Sequence, residues 1–280
     1  PTAMIEDTDG VIFFNFRSDR ARQLTKAFVL PSFAKFDRPY IKELFFVTMT
    51  EYEKEIPVVV AFPPTVVHNC LAEVISNAGL TQFHVAETEK YAHITFFLNG
   101  TVEDPFPLEE RSIVPSPQVA TYDEAPGMSA KEITKEVLKA IDADKYDVIL
   151  LNFANVDMVG HTGDLNATMK ACSVVDKHLG AIADHVLAKG GVLLITADHG
   201  NAEEMVNLHT VQKDKEHSNN PVPFYIIGKE YKGQAGPAGD PPDGDLSLVH
   251  PVGVLADVAP TLLEILGVDV PPDMTGRALI

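Results

Sequence analysis

The chain has 280 residues, 45% of them hydrophobic, enough for the core of one large domain or parts of two. Its formal net charge of −18 argues against nucleic acid as a partner, and no apolar run approaches the roughly 18 residues that a bilayer span needs. Only Cys70 and Cys172 are present, which excludes a disulfide framework and fits a reducing cytoplasmic setting, and no charged-then-apolar leader suggests secretion.

The charge is unevenly spread. Residues 1–62 hold 9 acids and 8 bases, and residues 63–280 hold 31 and 14. A nearly neutral segment with an Arg cluster, joined to an acidic one, suggests an anion-binding surface and a cation-binding surface.

Residues 11–16 are a strand-like apolar run ending in Asn15-Phe16-Arg17-Ser18-Asp19-Arg20. Ser18 and Asp19 are good helix-starting residues, and Leu24, Ala27 and Phe28 continue at helical spacing. Arg17 then stands at a strand end and Arg20 in a first helical turn. Cations there oppose the helix dipole, and a bound phosphate or carboxylate would account for them. Residues 43–50 form another strand-like run, and Ala61-Phe62-Pro63-Pro64 reads as a hinge. The expected division is residues 1–62 and 63–280.

Residues 71–78 predict a helix closed by Gly79, and residues 82–86 a short strand. Lys90 follows, in the loop before a helix suggested by Ile94, Phe97 and Leu98. From this stretch alone, a solvated Lys beside Glu87 and Glu89 is the plainer reading. Residues 129–140 predict a helix, with Ser129-Ala130-Lys131-Glu132 as a capping box and Ile133, Val137, Leu138 and Ile141 on one face. Residues 147–153 read as a strand buried on both faces, as in a parallel sheet. Asp157 and His161 follow it, four apart, so one helical turn puts them on one side. A long amphipathic helix over residues 165–187 ends at Gly190-Gly191. Residues 191–195 are again a buried-strand run, closed by Asp198-His199. His217 lies on a loop entering a strand at residues 224–227, and residues 257–266 predict a helix closed by Gly267. Strands alternating with helices give an α/β class with a mostly parallel sheet and helices on both faces, preceded by a partial second α/β domain.

Ligands of such sheets sit outside the carboxyl ends of the strands. Asp157 and His161 follow one strand, Asp198 and His199 follow the next, and His217 precedes another, so the five converge on one end of the sheet if these strands are neighbours. Five carboxylate and imidazole ligands exceed one tetrahedral site and point to two metals. The absence of thiolate suits Mn²⁺ or Zn²⁺.

Several stretches together resemble cofactor-independent phosphoglycerate mutase, of the alkaline phosphatase superfamily. They are Phe14-Asn15-Phe16-Arg17-Ser18-Asp19-Arg20-Ala21, Ala86-Glu87-Thr88-Glu89-Lys90-Tyr91, Asn155-Val156-Asp157-Met158-Val159-Gly160-His161-Thr162-Gly163, Thr196-Ala197-Asp198-His199-Gly200-Asn201 and His217-Ser218-Asn219-Asn220-Pro221-Val222-Pro223. The resemblance implies an alkaline-phosphatase-like fold and interconversion of 3- and 2-phosphoglycerate in glycolysis through a phosphoserine. It implies two Mn²⁺, with Zn²⁺, Co²⁺ or Mg²⁺ as alternatives. One metal would be held by Asp157, His161 and His217, the other by Asp198 and His199 with an Asp and the nucleophilic Ser from the family's N-terminal segment. Arg17, Arg20 and Lys90 match substrate-binding positions.

That N-terminal segment has no counterpart in these residues. The expectation is therefore a C-terminal fragment of a larger enzyme: the end of the phosphotransferase domain, then most of the phosphatase domain. No nucleophile lies within it, so it would be inactive alone, its partner being the missing N-terminal part. The intact enzyme would be a cytoplasmic monomer. A phosphopentomutase or phosphatase on the same scaffold, or an inactive metal-binding fragment, are the alternatives.

Overall fold

The structure is a computed structural model that describes residues 4–17, 21–207, 210–237, 239, 241, 243 and 245–280. The chain forms two compact units, Pro1–Val66 and Val67–Ile280.

In the first unit, β1 (Gly10–Phe13) and β3 (Val59–Val60) flank β2 (Phe45–Thr48), all parallel. The Phe46 ring lies 6.1 Å from Phe13 and 5.7 Å from Phe28 of α1 (Ala21–Val29), giving the sheet its packed face. β1 stops at Phe13, short of the expected residue 16. Past that point the backbone turns to a side chain for partners: the Tyr52 hydroxyl donates to the Asn15 carbonyl. Arg17 follows and is exposed. Ser18, Asp19 and Arg20 lie outside the described residues.

The second unit is built on a parallel sheet in which β4 (Gln82–Glu87) stands between β5 (Glu109–Val114) and β6 (Val148–Leu151). Side chains alternate across a strand, and here the alternation sorts two apolar layers. Ile149 and Leu151 of β6, with Phe83 and Val85 of β4, pack under α3 (Ala130–Ala143) and α5 (Leu165–Lys189) through Ile133, Val137 and Ile182. Val148 and Leu150 face the other way, onto Leu71, Val74 and Ile75 of α2 (Leu71–Asn77) and Leu263 of α6 (Val258–Leu266). Helices thus cover both faces of a parallel sheet. Ile75, Ile133, Ile182 and Leu263 are fully buried, and each such side chain contributes roughly 1.5–3 kcal/mol. α5 ends at Gly190, whose φ of 77° an L side chain would resist.

Several expectations are corrected. The run before Asp198 is not a buried parallel strand. It forms β7 (Leu193–Thr196), which pairs antiparallel with β8 (Phe224–Ile227), apart from the three-stranded sheet, and its residues are half-buried or exposed. Ser129 stands at the N-cap of α3 but its hydroxyl donates to the Pro115 carbonyl at 2.8 Å, so the capping box does not form. Residues after Lys90 make a π-helical turn over His93–Phe97, not an α-helix. β5 went unanticipated. Among the described residues no helix is long and apolar enough to cross a membrane.

Candidate metal centre

β4 and β6 are parallel neighbours, so the segments leaving their carboxyl ends emerge on one edge of the sheet. From β4 comes a single 3₁₀ turn, Thr88–Lys90. From β6 comes the short helix α4 (Asn155–Gly160), anchored by Asn155, whose buried amide donates to the Pro126 carbonyl at 2.9 Å. Asp157 lies in the first turn of α4 and His161 caps its end. The four-residue spacing brings His161 Nε2 to 3.2 Å from Asp157 Oδ1.

His217 arrives from the loop before β8. Its Nε2 lies 3.2 Å from Asp157 Oδ1 and 3.0 Å from His161 Nε2. These three ligand atoms therefore surround one point. Bonds of ~2.1 Å at right angles put ligand atoms ~3.0 Å apart, and tetrahedral ones ~3.4 Å apart. The observed edges fit a divalent cation in either geometry. His161 Nδ1 lies 2.6 Å from the Lys215 carbonyl, which can only accept. Nδ1 therefore holds a proton, and in the neutral ring Nε2 offers its lone pair to the shared point, as a metal-binding imidazole requires. Burial and the nearby His199 and His161 rings push His217 below the usual histidine range, against the attraction of Asp157, which keeps it neutral near pH 7.

Lys90 is buried, and its Nζ lies 2.5 Å from Asp157 Oδ2. The reading of Lys90 as a solvated surface charge is wrong, because its partner is 67 residues away in sequence. Burial opposes ionisation of Asp157. Contact with the Lys90 ammonium and a hydrogen bond from Asn201 outweigh it, and the carboxyl stays below the usual range.

Asp198 and His199 follow β7. The His199 ring stacks on that of His217 at 3.7 Å, and Asp198 Oδ2 sits 3.4 Å from His199 Nε2. These two lie beside the trio without joining its shared point. Arg17 belongs to the first unit, where its backbone N–H bonds Asn15 Oδ1 at 2.9 Å. Sequence reasoning gave no role to Asn201, which is buried and whose amide donates to Asp157 Oδ1 at 2.7 Å. No local sequence pattern points to it, since Asn201 meets Asp157 from 44 residues away; Gly160 leaves it room, as a Cβ there would stand 2.5 Å from Asn201 Oδ1. His93 was also passed over. It lies within electrostatic reach of Asp198, Asp157 and His199, and burial and Lys90 lower its pKa.

A family model described as "Metalloenzyme superfamily" matches residues 26–270. The chain belongs to the metalloenzyme superfamily. Among superfamily relatives, 2,3-bisphosphoglycerate-independent phosphoglycerate mutase of Chloroflexus aurantiacus is 50% identical over all of this chain and 54% of its own length. The corresponding mutase 2 of Methanosarcina barkeri is also 50% identical, across all of this chain and 50% of its own length. A crystal structure of Leishmania mexicana phosphoglycerate mutase at low cobalt concentration superposes with a TM-score of 0.76 at 32% identity, covering the whole chain and 52% of that protein. The chain spans about half the length of the curated relatives it matches.

Proposed function

We propose that this chain is the metal-binding part of a 2,3-bisphosphoglycerate-independent phosphoglycerate mutase, a monomer that interconverts 3- and 2-phosphoglycerate in cytoplasmic glycolysis. The observation that carries the reading is the convergence of Asp157, His161 and His217 within a chain 50% identical to enzymes of that name. Residues 1–62 would be the end of the phosphotransferase domain and residues 63–280 most of the phosphatase domain. Asp157, His161 and His217 would hold one divalent cation, and Asp198 and His199, with ligands from elsewhere in the enzyme, a second. Mn²⁺ suits the mixed oxygen and imidazole set, and cobalt, present at low concentration with the Leishmania enzyme, is chemically close to it. Such cations, when bound, neutralise phosphoryl charge and activate a hydroxyl nucleophile.

The chain's own residues then have definite tasks. Lys90 keeps Asp157 ionised, so that a ligand oxygen is ready at neutral pH. With Asp157 among the residues that would hold a cation, the Lys90 ammonium beside it would be placed to hold a substrate phosphate or carboxylate. Arg17 and Arg20 would serve as anion-binding residues, since planar guanidinium forks suit a phosphate or carboxylate better than a lysine would. The phosphoryl group would pass through a serine outside these residues and return to the other glycerate hydroxyl.

The test joins this chain to the N-terminal half of the Chloroflexus relative. With Mn²⁺ the chimera should convert 3- to 2-phosphoglycerate, and chelation or Asp157→Ala should abolish the conversion. Release of inorganic phosphate in place of 2-phosphoglycerate would instead favour a phosphatase.

A further inference from the structure

We propose that Glu203 is a positioning residue: its carboxylate locks the loop after β7 to the loop before β8, and so presets Asp157 and His217 before any cation arrives. This rests on the metal reading above. One oxygen, Oε2, accepts the Asn201 backbone N–H at 2.7 Å, and Asn201 in turn holds Asp157 Oδ1 at 2.7 Å through its side-chain amide. The other, Oε1, accepts the Ser218 hydroxyl and the Asn220 amide, the latter at 3.1 Å. Ser218 directly follows His217. A single carboxylate thus reaches a ligand on each side, the Asp157 oxygen through Asn201 and the His217 ring through its chain neighbour. The Ser218 N–H donates to the Gly200 carbonyl at 2.9 Å, a backbone tie between the same loops. A Cβ on Gly200 would collide with both the Glu203 carboxylate and the Ser218 hydroxyl, so glycine there leaves room for the lock.

The physical need is clear. Neither loop belongs to a helix, and His217 is half exposed. Fixing free side chains at a shared point costs conformational entropy, and a frame that already holds them leaves less to lose when the cation binds. Partners of metal ligands typically change metal affinity by about 10- to 100-fold when removed.

Glu203→Gln keeps the volume but has one oxygen for two sets of donors. Mn²⁺ titration calorimetry on the 280-residue chain should show affinity reduced on the order of tenfold or more, with the unfolding midpoint unchanged. Histidine ring NMR of the metal-free variant should show loss of the His199–His217 ring contact. Glu203→Asp, which keeps both oxygens, should recover part of each. Affinity within about twofold of wild type, with the ring contact intact, would overturn the proposal. If Glu203→Gln does not fold, Ser218→Ala and Asn220→Ala decide: weaker Mn²⁺ binding in either supports the lock, and unchanged binding in both overturns it. A wild-type chain that takes up no Mn²⁺ would end the metal reading, while the ring contact in the metal-free variant would still decide the role of Glu203.

Discussion

Asp157 has both oxygens committed, Oδ1 toward His161, His217 and Asn201, and Oδ2 toward Lys90. Both members of the Lys90–Asp157 pair are largely shielded, with side-chain exposures of 7% and 14%. Removing one partner of a buried ion pair strands the other charge and costs about 3–5 kcal/mol. Asp157→Asn should therefore destabilise the metal-free chain by about 3 kcal/mol in urea unfolding, beyond any loss of metal. Lys90→Met in the same chain should return part of that loss, because it removes the stranded ammonium and leaves an apolar stem. Equal destabilisation in the single and double variants would show that the two charges do not depend on each other. The pair also marks where sequence reading ends. Asp157 and His161 announce themselves by a four-residue spacing on a helix. Lys90 does not, since the carboxylates near it in sequence are not the one it meets.

The elements divide in the same way. Ile133 and Val137 were predictable as the inner face of α3 because helical periodicity is local, and both are almost fully buried. Ile133→Ala should cost about 2–5 kcal/mol, read as a shift in the chemical unfolding midpoint. β5 was hidden because its Glu109, Glu110 and Arg111 are strand-poor charges. The fold tolerates them through a 2.5 Å Arg111–Glu109 pair and an Asn99 amide on Glu109 at 2.8 Å, partners that only tertiary structure supplies. Glu87, at the end of β4, offers a test at this scale. It is fully buried, and burial raises its pKa above the ordinary 4.5 despite hydrogen bonds from Ser116 and Ser129. The folded form therefore holds its proton where the unfolded form does not. The resulting stability is complete below pH 4.5 and is lost as pH rises through the folded pKa. Glu87→Gln, whose amide can face the Ser116 hydroxyl while its oxygen takes the Ser129 N–H, escapes this loss. Its stability relative to wild type should rise as pH is raised above 4.5, followed by urea unfolding at a series of pH values. A difference that does not change with pH would mean that Glu87 ionises in the fold as it does in the unfolded chain.

At the scale of the whole molecule, the second unit carries a trio of side chains that could hold a metal ion, and beside it Asp198 and His199, two groups where a closed site needs about four. A metal centre becomes a phosphoryl-transfer centre only with a nucleophile aimed at the phosphorus. Ser218, the hydroxyl next to the trio in sequence, donates its hydrogen to Glu203 and serves the loop, while Ser18 lies outside the described residues. A chain limited to these 280 residues is thus expected to bind a divalent cation and yet convert no phosphoglycerate. A coupled assay for 2-phosphoglycerate, with added Mn²⁺ and a mass spectrum excluding longer protein, should stay at background. Adding the N-terminal half of a relative, fused or in trans, should raise turnover far above it. Metal-dependent turnover by the 280 residues alone would assign the nucleophile to a serine within them. A phosphopeptide map of the turning-over chain would then tell which serine carries the phosphoryl group, and the division of labour between cation site and nucleophile would have to be redrawn inside this chain.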